Sequence, residues 1–195
     1  MDTGKNITER WHKADILLCG GSAGAYRILL RLIKVLPANL NKAVVIVLHR
    51  KKNYVSDLEN MFAQCTGMAV REVNDKDEIL KNTIYLAPPN YHTLIEKGGY
   101  FSLDVSDSLW YSKPAIDVTF ESAADSYGNR CTAVLLSGAN VDGAAGLLKL
   151  KLAGSLTIAQ HPDDAEMPEM PQAAINLNAA ECVLTANQIL DLLMS

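Results

Sequence analysis

The sequence predicts an α/β fold of three layers, α/β/α, with a mainly parallel, doubly wound sheet and an added β-hairpin. Three observations predict it. Short β-rich runs alternate with helical periodicity along the 195 residues. One of these runs, Ala43–Leu48 (AVVIVL), is apolar without a break, which suits a strand covered on both faces. Helical stretches of roughly 10–15 residues separate the strands, as βαβ units require.

The elements follow in order. Ile16–Cys19 reads as a buried strand running into Gly20-Gly21. From Gly24 to about Leu36, the apolar residues Ile28, Leu29, Leu32, Ile33 and Leu36 share one helical face, and Pro37 stops the helix. Ala43–Leu48 is the second strand, and Val55–Ala63 a helix. Val70–Val73 and Ile84–Ala87 are short strands. Thr93–Glu96 and Tyr100–Val105 flank Lys97-Gly98-Gly99, a hairpin signal. Pro114 to about Ser126 reads as a helix, with proline at its start, where a missing N–H costs nothing. Ala133–Leu136 is a strand and Asp142–Ala153 a helix closed by Gly154. Leu156–Gln160 is the next strand. Residues 170–178 and 187–194 are helical around a short strand at Cys182–Leu184. The whole is Rossmann-like, one domain over 1–195 with its core at about 15–193.

Composition narrows the function classes. Lys and Arg number 18 and Asp and Glu 22, a net charge of −4. This mild acidity argues against a nucleic-acid binder, which would carry a basic field. The N-terminus is polar and lacks the apolar stretch of a signal peptide. No apolar run approaches the ~18–20 residues of a membrane span, so the chain is read as cytoplasmic, without membrane insertion. The four cysteines, Cys19, Cys65, Cys131 and Cys182, show no C-x-x-C spacing and are read as structural thiols. No metal and no organic cofactor is expected. Trp11 and His12 lie in the polar N-terminal segment and receive no role.

In doubly wound sheets, ligands bind beyond the carboxyl ends of the strands. Three loops there carry chemistry. Gly20-Gly21-Ser22-Ala23-Gly24 matches G-x-S-x-G at a strand-to-helix turn, which leaves a serine hydroxyl exposed as a nucleophile. The plainer reading makes Ser22 a helix N-cap. His49 ends the second strand, where it can serve Ser22 as a base or sit as an ordinary strand-end residue. Asp142 follows Ser137-Gly138-Ala139-Asn140-Val141 and opens a helix. It either caps that helix or is the carboxylate that orients the histidine. A second triad, Ser22–Asp142–His161, follows the chain order of ordinary α/β-hydrolases. It is disfavoured because the serine turn here follows the first strand and His161 precedes Pro162 and an acidic loop.

With these residues in view, the sequence resembles the catalytic domain of CheB, the chemotaxis protein-glutamate methylesterases. Five ordered blocks carry the resemblance: GGSAGA, LAPPNYH (86–92), KPAIDVTFESAA (113–124), LLSGANVDGAAGLLKLKLAGSLTIAQ (135–160) and EMPEMPQAAI (166–175). The resemblance implies Ser22 as nucleophile, His49 as base and Asp142 as orienting carboxylate. It implies oxyanion donors at the backbone N–H groups of Ala23 and Ala139. It implies hydrolysis of glutamate γ-methyl esters on the cytoplasmic helices of chemoreceptors, with methanol released, and deamidation of receptor glutamines. Arg50, His92, Met170 and Gln172 fall in segments expected to face substrate. Arg50-Lys51-Lys52, directly after the base, is either a solvated charge run or a patch that attracts an acidic receptor helix. The chain departs from the family pattern at Ala23 (usually Thr), Ala139 (Met), Asn140 (Gly) and Gln172 (Arg). The N-terminal receiver domain usual in the family has no room before residue 15, so a stand-alone esterase is expected. Two other readings stay open: a serine hydrolase of another ester or amide, and a non-catalytic module that docks a receptor.

Overall fold

The computed structural model describes residues 3–49 and 57–195. Among them, seven strands form one parallel sheet: β1 (Ile16–Gly21), β2 (Ala43–Leu48), β3 (Ala69–Glu72), β4 (Thr83–Leu86), β7 (Cys131–Leu135), β8 (Leu156–Gln160) and β9 (Cys182–Leu184). Their order is β3-β4-β2-β1-β7-β8-β9. β5 (His92–Glu96) and β6 (Tyr100–Asp104) make a separate antiparallel hairpin. The predicted architecture stands, with strand ends moved by one or two residues.

Alternation along each strand divides the interior into two cores. Leu17, Cys19, Val44 and Ile46 point to one face, where α2 (Ala25–Val35), α3 (Leu58–Ala63) and α7 (Ala186–Met194) cover them. Ile16, Leu18, Val45 and Val47 point to the other, under α4 (Ile116–Tyr127), α5 (Ala144–Leu152) and α6 (Glu169–Asn176). Every residue of β1 is buried, as a central strand between two helix layers must be. The cysteines are all free thiols, with Cys19 and Cys131 buried. Burial pushes both thiols up to about 12, which keeps them unreactive.

The longest element missed by the sequence reading lies at the N-terminal end. Residues 3–13 form a helix, α1 (Thr3–Lys13), and Trp11 is 1% exposed within the core. The signal was faint: Ile7, Trp11 and Ala14 fall at i, i+4 and i+7 in an otherwise polar stretch. Lys42 fastens the end of this helix. Its ammonium donates to the carbonyls of His12 (2.9 Å) and Ala14 (2.7 Å) and lies 4.7 Å from the Trp11 ring centroid. No described helix is long and apolar enough to cross a membrane.

The strand order fixes where a site can form. From β1 the chain passes to β2, goes out to the edge strand β3, comes back as β4 between β3 and β2, and then crosses to the far side of β1 as β7. The winding reverses at β1, and a crevice opens at such a point beyond the carboxyl ends of the strands. The loops after β1, β2 and β7 carry Ser22, His49 and Asp142.

Candidate active site

Sheet register delivers the first two residues together. Gly21 pairs with Leu48 across β1 and β2, and the His49 N–H donates to the Gly21 carbonyl at 3.1 Å. Ser22 and His49 are thus the first residues beyond the same rung of the ladder. The Ser22 N–H donates to the Ser137 carbonyl at 2.9 Å, which ties the serine turn to the end of β7. Gly24 rather than Ser22 occupies the cap position of α2, with φ of 80°. A Cβ there would stand 2.6 Å from Ser137 Oγ, so the turn needs a glycine for both its conformation and its space. Ser22 is half-exposed, and its hydroxyl makes no hydrogen bond to a described residue.

Asp142 is fully buried, with three donors on its carboxylate. His49 Nε2 lies 2.7 Å from Oδ2. The Ile116 N–H donates to Oδ2 at 2.7 Å and the Asp117 N–H to Oδ1 at 2.9 Å. The capping expectation therefore needs correction. Gly143 stands at the cap of α5, and Asp142 instead caps α4, which packs alongside. The first-turn N–H groups of a helix lack intrahelical partners and favour a negative charge. The correction extends to α4 itself, which begins at Ile116, two residues later than Pro114 suggested, where Asp142 supplies the acceptors.

Because a carboxylate only accepts, the His49 proton sits on Nε2. Nδ1 is then the ring nitrogen left with a lone pair to accept a hydrogen bond. Its partner is Ser112, whose Oγ lies 3.1 Å away. His161 does not join this group. Its side chain is 44% exposed, and Nδ1 accepts from the Asp163 N–H at 3.2 Å.

A second carboxylate lies behind the first. Asp117 accepts from the Gly146 N–H (2.8 Å) and from Trp110 Nε1 (3.0 Å). Burial raises its pKa most, the Gly146 hydrogen bond lowers it, and the Asp142 charge raises it again, to about 6. The native protein then binds a proton at Asp117 that the unfolded chain has already released. Stability from this group is therefore greatest at low pH and falls as pH rises from about 4 to about 6. Urea unfolding of the wild type and Asp117→Asn at pH 4, 5, 6 and 7 measures this. The wild type should lose on the order of 2 kcal/mol relative to the variant across that range. A constant difference would refute the assignment.

The remaining predicted residues fall in several places. Ala23 and Ala139 are exposed, and neither N–H donates to a described residue. Ser137 shapes both loops: its hydroxyl donates to the Ala23 carbonyl (2.7 Å) and accepts from the Met167 N–H (2.9 Å). Met170 is fully buried beneath Gly138, and its N–H donates to the Gly138 carbonyl at 2.9 Å. A Cβ on Gly138 would sit 2.6 Å from the Met170 sulfur, so Met170 is packing under the loop and not a surface that substrate meets. His92 is 1% exposed, and both ring nitrogens are taken: Nε2 by the Asp107 carbonyl (2.9 Å) and Nδ1 by the Ala115 N–H (3.1 Å). It anchors the 105–115 segment from below. Gln172 is exposed and donates to Asn176 Oδ1 at 2.9 Å. Arg50, with Lys51 and Lys52, lies outside the described residues. Among the described residues, no group of His, Cys, Asp and Glu is placed to hold a metal ion.

Sequence reasoning missed Ser112, Trp110 and Asp117. No short spacing links them to the triad: Ser112 is 63 residues from His49, and Asp117 lies 25 from Asp142.

Comparison with known proteins places this geometry in context. A family model described as CheB methylesterase matches residues 17–193. A protein of Leptospira interrogans named as a putative protein-glutamate methylesterase/protein-glutamine glutaminase is 35% identical over 178 residues, covering 91% of this chain and 92% of that one. A Thermotoga maritima protein of the same name, without the qualifier, is 31% identical and covers 94% of this chain but 54% of its own length. The crystal structure of the Thermotoga maritima CheB methylesterase catalytic domain superposes with a TM-score of 0.88 at 30% identity, covering 93% of this chain and 97% of that one.

Proposed function

Since the chain belongs to the CheB methylesterase family, we propose that it hydrolyses glutamate γ-methyl esters on chemoreceptor cytoplasmic helices, releases methanol and also deamidates receptor glutamines. The observation that carries this reading is the His49–Asp142 pair, 2.7 Å apart, with a half-exposed serine in the adjoining loop at the point where the winding reverses.

The mechanism follows from the hydrogen bonds. Ser22 Oγ attacks the ester carbonyl carbon, and His49 Nδ1 takes its proton. The imidazolium that forms is held between Asp142 and the new intermediate. The N–H groups of Ala23 and Ala139, which donate to no described residue, receive the oxyanion. Because these donors belong to the main chain, alanine serves at either position. The C–O bond breaks, and His49 returns the proton to methoxide, giving methanol. Water, deprotonated by the same nitrogen, then attacks the acyl-enzyme and frees the glutamate carboxylate and Ser22. For a glutamine the leaving group is ammonia. The basic run after His49 draws the acidic helix toward the crevice.

Methanol release from a methylated receptor cytoplasmic fragment is the test. Release that tracks the methylated glutamates is expected. If a small phenyl ester is turned over but the receptor is not, the chain is a hydrolase of another substrate. If neither reacts, and a fluorophosphonate fails to label Ser22, it is a docking module.

A further inference from the structure

The base nitrogen of His49 has one lone pair, and in this structure its hydrogen-bond partner is not Ser22. Asp142 holds Nε2, which leaves Nδ1, and the hydroxyl 3.1 Å from Nδ1 belongs to Ser112. The Ser22 hydroxyl, meanwhile, has no hydrogen bond to a described residue. A single lone pair cannot accept two hydroxyl protons at full strength. The two serines therefore compete for one acceptor.

Ser112 sits where it does because the segment carrying it is tied down at several points. His92 grips Asp107 and Ala115 from below. Lys113 Nζ donates to the Val105 and Ser106 carbonyls. The Ser112 N–H closes a turn onto the Leu109 carbonyl at 2.8 Å. At the apex, Trp110 and Tyr111 both have positive φ, 50° and 61°. Bulky residues rarely adopt that conformation, and it persists only when the surroundings enforce it. Trp110 is enforced from two sides: its indole N–H donates to Asp117, and Asn140 donates to its carbonyl at 3.3 Å. Asn140 lies beside Ala139, so the turn is also joined to the loop proposed to bind the oxyanion.

We propose that Ser112 is a positioning residue: it holds the base nitrogen of His49 in the resting enzyme and yields it to Ser22 when an ester enters. The inference rests on Ser22 being the nucleophile. A hydroxyl donating to Nδ1 keeps the ring turned so that Nε2 stays on Asp142, and it quiets the base until substrate is present. The cost falls on Ser22, which is not activated before that exchange.

Two measurements on the full chain test this. The first is the 15N resonance of His49 Nδ1, which should report a hydrogen-bonded acceptor in the wild type and in Ser112→Thr, and a shifted, less hydrogen-bonded nitrogen in Ser112→Ala. The second is the rate at which a fluorophosphonate labels Ser22, taken with kcat/KM for a small phenyl ester. Both rates should rise about two- to tenfold in Ser112→Ala, the range that one net hydrogen bond commands, and stay within about twofold of wild type in Ser112→Thr. An Nδ1 resonance in the wild type that reports no hydrogen bond overturns the proposal, whatever the variants do. So does a Ser112→Ala rate equal to or below wild type. If labelling that depends on Ser22 is absent from both backgrounds, the reading of Ser22 has failed and the proposal falls with it.

Discussion

Replacing Ser22 with alanine is expected to lower methanol release by at least about a thousandfold, while leaving the fold intact. The serine is half-exposed, and its hydroxyl carries no hydrogen bond to a described residue, so little of the structure depends on it. Its backbone N–H, which does hold the turn to Ser137, survives the change. His49→Ala should cost a similar factor, because nucleophile and base act as a unit and lose nearly everything together. The Ser22→Ala/His49→Ala double variant should then be little worse than either alone. His161→Ala supplies the contrast, with activity near wild type, because its ring faces Asp163 and solvent. The measurement is release of labelled methanol from a methylated receptor fragment, with the far-ultraviolet dichroism of each variant taken alongside. Loss in His161→Ala with His49→Ala unaffected would overturn the assignment of the base.

Asp142→Asn is the second large effect, and it should damage activity and stability together. An amide can present its N–H₂ where the carboxylate accepts, so it cannot keep His49 Nε2–H, Ile116 N–H and Asp117 N–H all satisfied. Loss of the tautomer and of the charge facing the imidazolium should lower kcat by about 10³–10⁴-fold. Loss of acceptors at the buried start of α4 should cost about 1–3 kcal/mol in urea unfolding. The loss is partly offset because the Asp142 charge raises the pKa of Asp117. Without that charge the Asp117 transition should move to lower pH. An inactive variant with wild-type stability and an unmoved transition would show that Asp142 does not cap α4 in solution.

The fold was legible because its signals are local. The AVVIVL run, the glycine-rich turn after β1 and the helical spacing of Ile28, Leu29, Leu32 and Ile33 each report on their own few residues. The three loops could be placed at one edge by the rule that parallel strands end together. Helix α1 escaped because its docking depends on Lys42, thirty residues away, reaching the His12 carbonyl. The part played by Asp142 was half legible. Its position before a helix suggested a cap, but the helix it caps comes earlier in the chain and packs against α5. Ser112 and Trp110 left no trace, since their partners, His49 and Asp117, are chosen by how the segment after the hairpin folds back. His92 was legible as a residue on the active-site side, and its task there became clear only once both ring nitrogens were seen to be occupied.

The cap that Asp142 places on α4 bears on how such a protein can change over time. Ser22 can be lost at little cost to the fold, whereas Asp142 cannot, because a helix start depends on it; His49, largely buried and bonded to Asp142, falls between the two. A descendant that abandoned hydrolysis and kept only the shape would shed the serine first, and the aspartate would linger as scaffolding. In such a lineage the aspartate would mark the architecture and the serine the hydrolase. This chain retains all three.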